Sequence, residues 1–226
     1  MRRGIQAADL TTAPSQAMLA ALREGAGGRI PNARVIPNGR NPRLFRSGPK
    51  SDFILSAGRL WDEAKNISML ARVASRLRKP VYVAGDDEHP AGAAMEFHGL
   101  QWLGRLENRE LAEWFAGAAI YALPARYEPF GLSVLEAALS GCALVLGDIP
   151  SLRENWSEAA VFVPPEDDAA LERALNRLAS DAGHRANMQA RAQARARRFT
   201  PERMAAGYLA AYRDLLAAEA REPACA

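Results

Sequence analysis

The chain is poor in the residues that build covalent staples and metal centres. Two cysteines, Cys142 and Cys225, lie far apart among 226 residues, with no C-x-x-C pair. That excludes a disulfide framework and the usual zinc or thiol-redox motifs, and points to a reducing, cytoplasmic compartment. The three histidines, His89, His98 and His184, lack metal-ligand spacing. Long apolar runs are missing too: residues 137–146, among the longest, are broken by Ser140 and Gly141 and are too short to span a bilayer. After Met1-Arg2-Arg3 the chain continues into Gln6 and Asp9, not into the apolar stretch of a secretory leader, so none is expected. Charge of one sign is also lacking. The 29 basic residues are nearly balanced by 26 acidic ones, a net charge of +3 that is too mild to call for a nucleic-acid partner. No Walker loop, H-E-x-x-H or G-x-S-x-G occurs. Gly25-Ala26-Gly27-Gly28 fails as a dinucleotide loop, because the third glycine of G-x-G-x-x-G would fall on Ile30 and no strand precedes it. Asp86-Asp87-Glu88 follows an expected strand and reads as a solvated turn before it reads as an acidic metal site.

What is present is a globular composition, 49% hydrophobic and 24% charged, in a chain long enough for one full domain and part of another. From residue 53 onward apolar strands alternate with helical patterns. Strands are expected at 53–57, 81–84, 119–123 and 143–146, with a short one ending at Trp102 and Leu103. Helices are expected at 66–78, where Ile67, Leu70, Val73 and Leu77 share a face, and at 108–116 and 132–140. Strands without polar alternation are buried on both faces, so the pattern predicts an α/β fold: a Rossmann-like parallel sheet with helices on both sides. Residues 1–38 add only a strand at 10–13, a helix at 15–23 and a strand at 34–36. A Pro/Asn/Gly-rich stretch over 37–49 separates them from the rest. Beyond Asp167 the pattern is helical, at 168–180, 183–198 and 201–219, with Thr200-Pro201 opening the last helix. The expected organisation is therefore a small unit over 1–38, a linker over 39–50, a Rossmann-like domain over 51–198 and a C-terminal helix and tail over 199–226.

The informative segment is Pro124-Ala125-Arg126-Tyr127-Glu128-Pro129-Phe130-Gly131-Leu132-Ser133, with Glu136 following inside an apolar helix. A buried strand ends at Leu123, a loop carries Glu128, and a helix opens after Gly131. Strand end, glycine and helix N-terminus together form the place where parallel α/β sheets bind anions and nucleotides. Glu136 is either a surface residue of its helix or a bidentate acceptor for vicinal hydroxyls such as those of a ribose. A second cluster, Ser56-Ala57-Gly58-Arg59, continues to Lys65 at the start of the next helix. Arg59 and Lys65 can converge on a phosphate-sized site at the strand end.

Gly58-Arg59, Lys65, Leu103-Gly104 and the Glu128-Pro129-Phe130-Gly131 segment with Glu136-Ala137 resemble the C-terminal, donor-binding half of retaining glycosyltransferases of family 4 (group 1). The resemblance runs from about residue 8 to 216, and its most specific element is the glutamate pair with seven residues between. It implies the GT-B architecture, two Rossmann-like domains with a nucleotide diphosphate sugar in the cleft, and catalysis without a metal. Carried over, it makes Glu128, Arg59 and Lys65 the catalytic residues. Arg59 and Lys65 bind the diphosphate and stabilise the leaving group, and Glu128 faces the transferred sugar. Gly58, Phe130, Gly131, Leu132 and Ser133 also belong to the donor site, Glu136 holds the ribose, and the Gly104–Leu106 turn contacts the base. Lys65 lies six residues after Arg59, where many members of that family have five.

Residues 8–38 resemble only the last strand and helix of the family's acceptor domain, so the chain reads as the donor half of a cleft. The expected partners are a nucleotide-sugar donor, an acceptor of unknown kind and a separate N-terminal domain chain. The alternative is a nucleotide-sugar binding module from a truncated or split gene. A sugar-nucleotide epimerase or phosphorylase of the same fold is a further alternative, the epimerase disfavoured by the glutamate pair with Pro129-Phe130-Gly131, and a metal-dependent transferase would need Asp-x-Asp where Asp86-Asp87-Glu88 offers Asp-x-Glu. Cys142 is expected to be a packing residue, with no cationic neighbour close in sequence. The arginine-rich helix 183–198 is expected to be a solvated face, since membrane insertion requires a row of large apolar residues that it lacks.

Overall fold

Every residue of the segments Ala118–Leu123 and Ala143–Gly147 is buried. Strands of that kind need a layer on each face. The computed structural model, which describes residues 2–28, 30–86 and 98–219, supplies those layers. A small N-terminal unit comes first: α1 (Arg2–Gln6), β1 (Thr11–Ala13), α2 (Gln16–Ala26) and β2 (Ala33–Val35). A 3₁₀ turn at Pro42–Leu44 leads into β3 (Ser51–Ala57), α3 (Ile67–Ala74), β4 (Val81–Ala84) and β5 (Gln101–Trp102). The chain continues through α4 (Asn108–Gly117), β6 (Ala118–Leu123), α5 (Leu132–Leu139), β7 (Ala143–Gly147), α6 (Pro150–Trp156) and β8 (Val161–Val163). It ends in α7 (Asp168–Ser180), α8 (Ala182–Ala196) and α9 (Pro201–Glu219).

The six strands β3–β8 form one parallel sheet in the order β5-β4-β3-β6-β7-β8. Alternate residues feed opposite faces. Leu55, Tyr121 and Leu144 join Phe115, Leu135 and Leu139 in one layer with Ala192 and Ala196 of α8. Ile54, Ile120 and Val145 pack on the other side with Ile67, Leu70 and Val73 of α3 and Leu171, Leu175 and Leu178 of α7. The Rossmann-like parallel sheet expected from the strand pattern is thus present, with helices on both faces. Three elements escaped the sequence reading: α1, α6 and β8. They are five, seven and three residues long, too short for a periodic signal.

One expectation is corrected. Helix 183–198 is not simply a solvated face. Met188, Ala192 and Ala196 of α8 are buried, and small alanines let the helix lie close against α5 and β7. Cys142 is the buried packing residue expected, and it gains in space a cationic neighbour distant in sequence, Lys50, from the end of the linker. Lys50 Nζ donates to the carbonyls of Phe115 (3.1 Å), Ala116 (2.9 Å) and Ser140 (2.7 Å), closing the C-terminal ends of α4 and α5, and lies 3.9 Å from Cys142 Sγ. Burial lowers the Lys50 pKa, and burial pushes the Cys142 thiol up to about 11. Lys50 is therefore a plug for helix ends and not an activator of the thiol.

The N-terminal unit is a strand–helix–strand piece whose two parallel strands form their own sheet, with Ala13, Leu19, Ala26 and Ile30 as its core. It is held at both ends. Ser15 Oγ caps α2 and donates to the Pro129 carbonyl (2.9 Å), and the Glu154 carboxylate of α6 accepts from the amides of Gln16 (2.8 Å) and Ala17 (2.9 Å). At the other end Arg34 pairs with Asp214 of α9. Among the described residues no helix is long and apolar enough to cross a membrane.

Because Cys142 is buried with a raised pKa, native protein treated with iodoacetamide should carry label at Cys142 only as fast as it unfolds globally. Peptide mass mapping reads this out, and native labelling at the rate of the denatured chain would contradict it.

Candidate active site

The chain leaves β3 toward β4 on one side and leaves β6 toward β7 on the other, so the strand order reverses between the neighbours β3 and β6. Open α/β sheets bind ligands at the carboxyl end of such a switch point. Both motif loops lie there. The Arg126 amide donates to the Ala64 carbonyl (2.9 Å), tying the loop after β6 to the loop after β3. Asn66, buried and left-handed (φ 58°), locks the junction. Its Nδ2 donates to the carbonyls of Pro124 (2.9 Å) and Pro165 (2.8 Å), while its Oδ1 accepts from Arg126 (2.5 Å). Asn tolerates the αL region better than most residues, and its amide satisfies carbonyls from two other loops. Asn66 was expected only as the first residue of a helix, and its buried role carried no local sequence signal.

Lys65 and Glu128 meet across this junction. Lys65 Nζ lies 2.5 Å from Glu128 Oε2, with both side chains largely buried. Glu128 Oε1 turns to the helix start, accepting from the amides of Gly131 (2.8 Å) and Phe130 (3.3 Å). Gly131 is left-handed (φ 86°), and a Cβ there would lie 2.9 Å from Val134 Cγ2, so the turn that opens α5 requires glycine. One carboxylate thus occupies the positive end of α5 and a lysine at once, the electrostatic setting of an anion site.

Arg59 lies apart from that pair. Its guanidinium bonds Asp62 (2.7 Å), stacks over Trp61 (5.3 Å) and is mostly exposed. It borders a cavity of about 420 Å³ together with Gly58, Gly85, Asp86, Arg105 and Leu106. Close backbone approach forms its floor: Gly58 N donates to Ala84 O (3.0 Å) and Gly85 N to Gly104 O (2.9 Å), and a Cβ on Gly85 would lie 1.7 Å from Gly58 O. Gly85 is a further residue the sequence reading missed. Asp86 borders the cavity, while Asp87 and Glu88 of the acidic run lie outside the described residues, as do His89 and Cys225.

Glu136 is not a surface residue. It is buried in α5 and bonds Arg40 of the linker (Oε1 to Nε, 2.7 Å). Burial raises its pKa, and the Arg40 charge and hydrogen bond oppose that rise. The two border a second cavity of about 400 Å³ with Leu44, Phe45, Asn108 and Arg109, and Leu111 lines both cavities. Arg40 is held in place because its amide donates to the Phe199 carbonyl (3.2 Å) and because Gly39 presses on Thr200, where a Cβ would lie 2.3 Å from the backbone. Of the remaining expected residues, Phe130 is core, edge-on to Phe199 (5.3 Å), and offers only its backbone. Ser133 Oγ accepts from the buried Tyr121 hydroxyl (2.8 Å), and Leu132 at the first turn is partly exposed. The structure therefore brings Lys65, Glu128 and Gly131 together, sets Gly58, Arg59 and Leu106 around one hollow, and gives Glu136 a partner outside the motif.

Comparison with known proteins places these features in a family. The model of the family described as "Glycosyl transferases group 1" matches residues 51–181. A D-inositol 3-phosphate glycosyltransferase from Stackebrandtia nassauensis is 27% identical over 223 residues, covering 84% of this chain and 50% of its own length. A glycogen synthase of Mycobacterium tuberculosis is 30% identical over 202 residues, covering 84% and 46%. The chain spans half or less of the length of these relatives. Among solved structures, sucrose-phosphate synthase from Thermosynechococcus elongatus superposes with a TM-score of 0.83 at 23% identity, covering 96% of this chain and 61% of that one. Anabaena HepE, solved in complex with UDP and glucose, superposes with a TM-score of 0.79 at 22% identity, covering 92% and 64%. At such identities the structural likeness establishes the shared fold.

Arg40 opposes the rise that burial imposes on the Glu136 pKa. In Arg40→Ala burial acts unopposed, so the Glu136 pKa climbs further above its unfolded value. The stability that protonated Glu136 contributes below the unfolded pKa is then lost over a wider window as pH rises through the folded pKa. Carbon-detected NMR titration of the Glu136 carboxyl checks this, and an unchanged titration in Arg40→Ala would contradict it.

Proposed function

This chain belongs to the group 1 glycosyltransferases, and on that premise we propose that it is the donor-binding half of a retaining enzyme of the GT-B type, acting on a nucleotide diphosphate sugar. One observation carries the reading: the loops after β3 and β6 meet at the switch point and set Lys65, Glu128 and the first amides of α5 on one another. A diphosphate there would replace the Glu128 carboxylate at the Gly131 amide and draw on Lys65, with Arg59 swinging from Asp62 to add a second cation. The first-turn amides at Leu132 and Ser133 point the same way, since a helix start leaves its N–H groups without intrahelical partners. The Gly104–Leu106 turn and Gly58 would border the nucleoside, and Glu136, held by Arg40 through Oε1, would keep Oε2 for the ribose hydroxyls.

In the transfer step the bond between the sugar's anomeric carbon and the diphosphate oxygen breaks, and the electron pair leaves with the diphosphate. Lys65, Arg59 and the α5 dipole neutralise that charge, so the site calls for no metal of its own. Glu128, freed from Gly131, would face the positive charge developing on the sugar. The acceptor, taken up by the other half of the cleft, would bond its hydroxyl oxygen to the anomeric carbon and pass its proton to the departing diphosphate. Positioning the acceptor hydroxyl contributes about 7–11 kcal/mol in well-aligned reactions, and the β1–α2–β2 piece is too small to supply it. Transfer then depends on an acceptor-binding domain beyond the residues of this chain, within a cytoplasmic pathway. The second reading, a binding module without transfer, draws on the same observation and differs only in whether that domain exists.

Calorimetric titration of UDP, GDP and ADP in the presence of a chelator should show binding of at least one nucleotide. Arg59→Ala and Lys65→Ala should each weaken it by about 1.5–3 kcal/mol, the usual loss for a charged hydrogen bond. Affinity unchanged in both variants would contradict the donor site. The isolated chain should transfer no sugar from any nucleotide sugar, whereas addition of a matching N-terminal domain should restore transfer. Robust transfer by the chain alone would overturn the half-cleft reading.

A further inference from the structure

Against the C-terminal end of α6, α8 presents arginines at positions 191, 195 and, just past its end, 198, spaced so that they share one face. They line a cavity of about 610 Å³, the size of a small-metabolite site, whose opposite wall is the 3₁₀ turn at Ser157–Ala159 and whose floor is Trp156. Glu158 is the acid in that lining. Neither Arg191 nor Arg198 makes an ion pair with a described residue. Arg195 is aimed by two backbone carbonyls, donating from Nε to Asn155 O (2.7 Å) and from Nη2 to Glu154 O (3.0 Å). Burial and the adjacent Arg198 charge both lower its pKa.

Two further features mark the cavity. The Trp156 indole Nε1 is buried without a hydrogen-bond partner, an uncommon condition for a buried donor. Ser157 sits at φ 28°, ψ −113°, outside the regions that side-chain-bearing residues favour. Strained backbone of this kind clusters at active and ligand-binding sites. A smaller hollow of about 270 Å³ continues past Arg195 and Arg198 to Thr200 and Arg203, extending the basic surface.

We propose that this cavity is a second binding site, for a phosphate-bearing ligand, held by the guanidinium groups of Arg191, Arg195 and Arg198. Planar guanidinium forks match phosphate oxygens in pairs, and three of them offset the dianion that a phosphate monoester carries. No residue of the cavity belongs to the donor motifs, so the site stands whether or not the donor reading does. A phosphorylated metabolite and a phospholipid headgroup share this chemistry.

The test follows backbone amides and the Trp156 indole in the ¹⁵N-labelled full chain as inorganic phosphate and then pyrophosphate are added. The resonances of Ser157, Ala159 and the Trp156 indole should shift saturably. The Arg191→Ala/Arg198→Ala double variant, both exposed positions that leave the core untouched, should weaken this response at least about tenfold. Arg59→Ala should leave it in place. Sedimentation with vesicles of phosphatidylglycerol and phosphatidylcholine in equal parts then assigns the source. Binding lost in the double variant identifies a headgroup, and binding of soluble phosphate alone identifies a metabolite. The proposal is overturned if those resonances do not move, if they move equally in the double variant, or if the response disappears in Arg59→Ala instead.

Discussion

Two strands that lie side by side while their chain departs in opposite directions leave a gap at their carboxyl ends, and the site depends on what fills it. Between β3 and β6 the gap is closed by hydrogen bonds between loops: Arg126 to Ala64, and Asn66 to Pro124 and Pro165. Nothing in the parallel ladder itself fixes where Lys65 and Glu128 lie. The junction does, because a left-handed Asn66 ends one loop at the start of α3 while its amide holds the strand end of the other. The buried layers beneath make the junction rigid, so the charged groups sit on a frame that need not reorganise around a ligand.

Charge compensation is the second organising feature. Lys65 is met by Glu128, Arg59 by Asp62, and Glu136 by Arg40. A buried cation or carboxylate without such a partner would be costly, and removing one member of a well-buried pair typically costs about 3–5 kcal/mol. On the proposed reading, a diphosphate would enter by exchanging one counter-charge for another, taking up Lys65 and the α5 amides together and leaving the displaced Glu128 carboxylate to face the sugar. The exposed pair Arg59–Asp62 contributes little to stability and is the easiest to exchange.

How much of this was legible in the sequence follows from range. The parallel sheet could be read because continuous apolar strands such as 143–146 carry their own signal, and the motif at Glu128–Gly131 because strand end, glycine and helix start are contiguous. Lys65 beside Glu128 was foreseeable only as convergence of two loops. Arg40 on Glu136, Lys50 beneath Cys142 and Asn66 at the junction were not, since each acts across 58–99 positions with no periodic mark. The same limit explains α8. Its arginines draw the eye as charges, while Met188, Ala192 and Ala196, which pack it on the sheet, do not stand out among its other alanines and polar residues.

The N-terminal unit is bound to the larger domain by the Glu154 cap on α2, the Ser15–Pro129 hydrogen bond and the Arg34–Asp214 ion pair. It therefore extends the surface beside the loop after β6, and the proposed function stands or falls on that loop. The most direct measurement is a ¹⁵N chemical-shift map of the full chain titrated with UDP in chelator. The account predicts shifts centred on the amides of Gly58, Gly104, Phe130 and Gly131, with that of Gly131 largest as the Glu128 carboxylate leaves it. Shifts absent from those four amides, or confined to the edge strands β5 and β8, would contradict it.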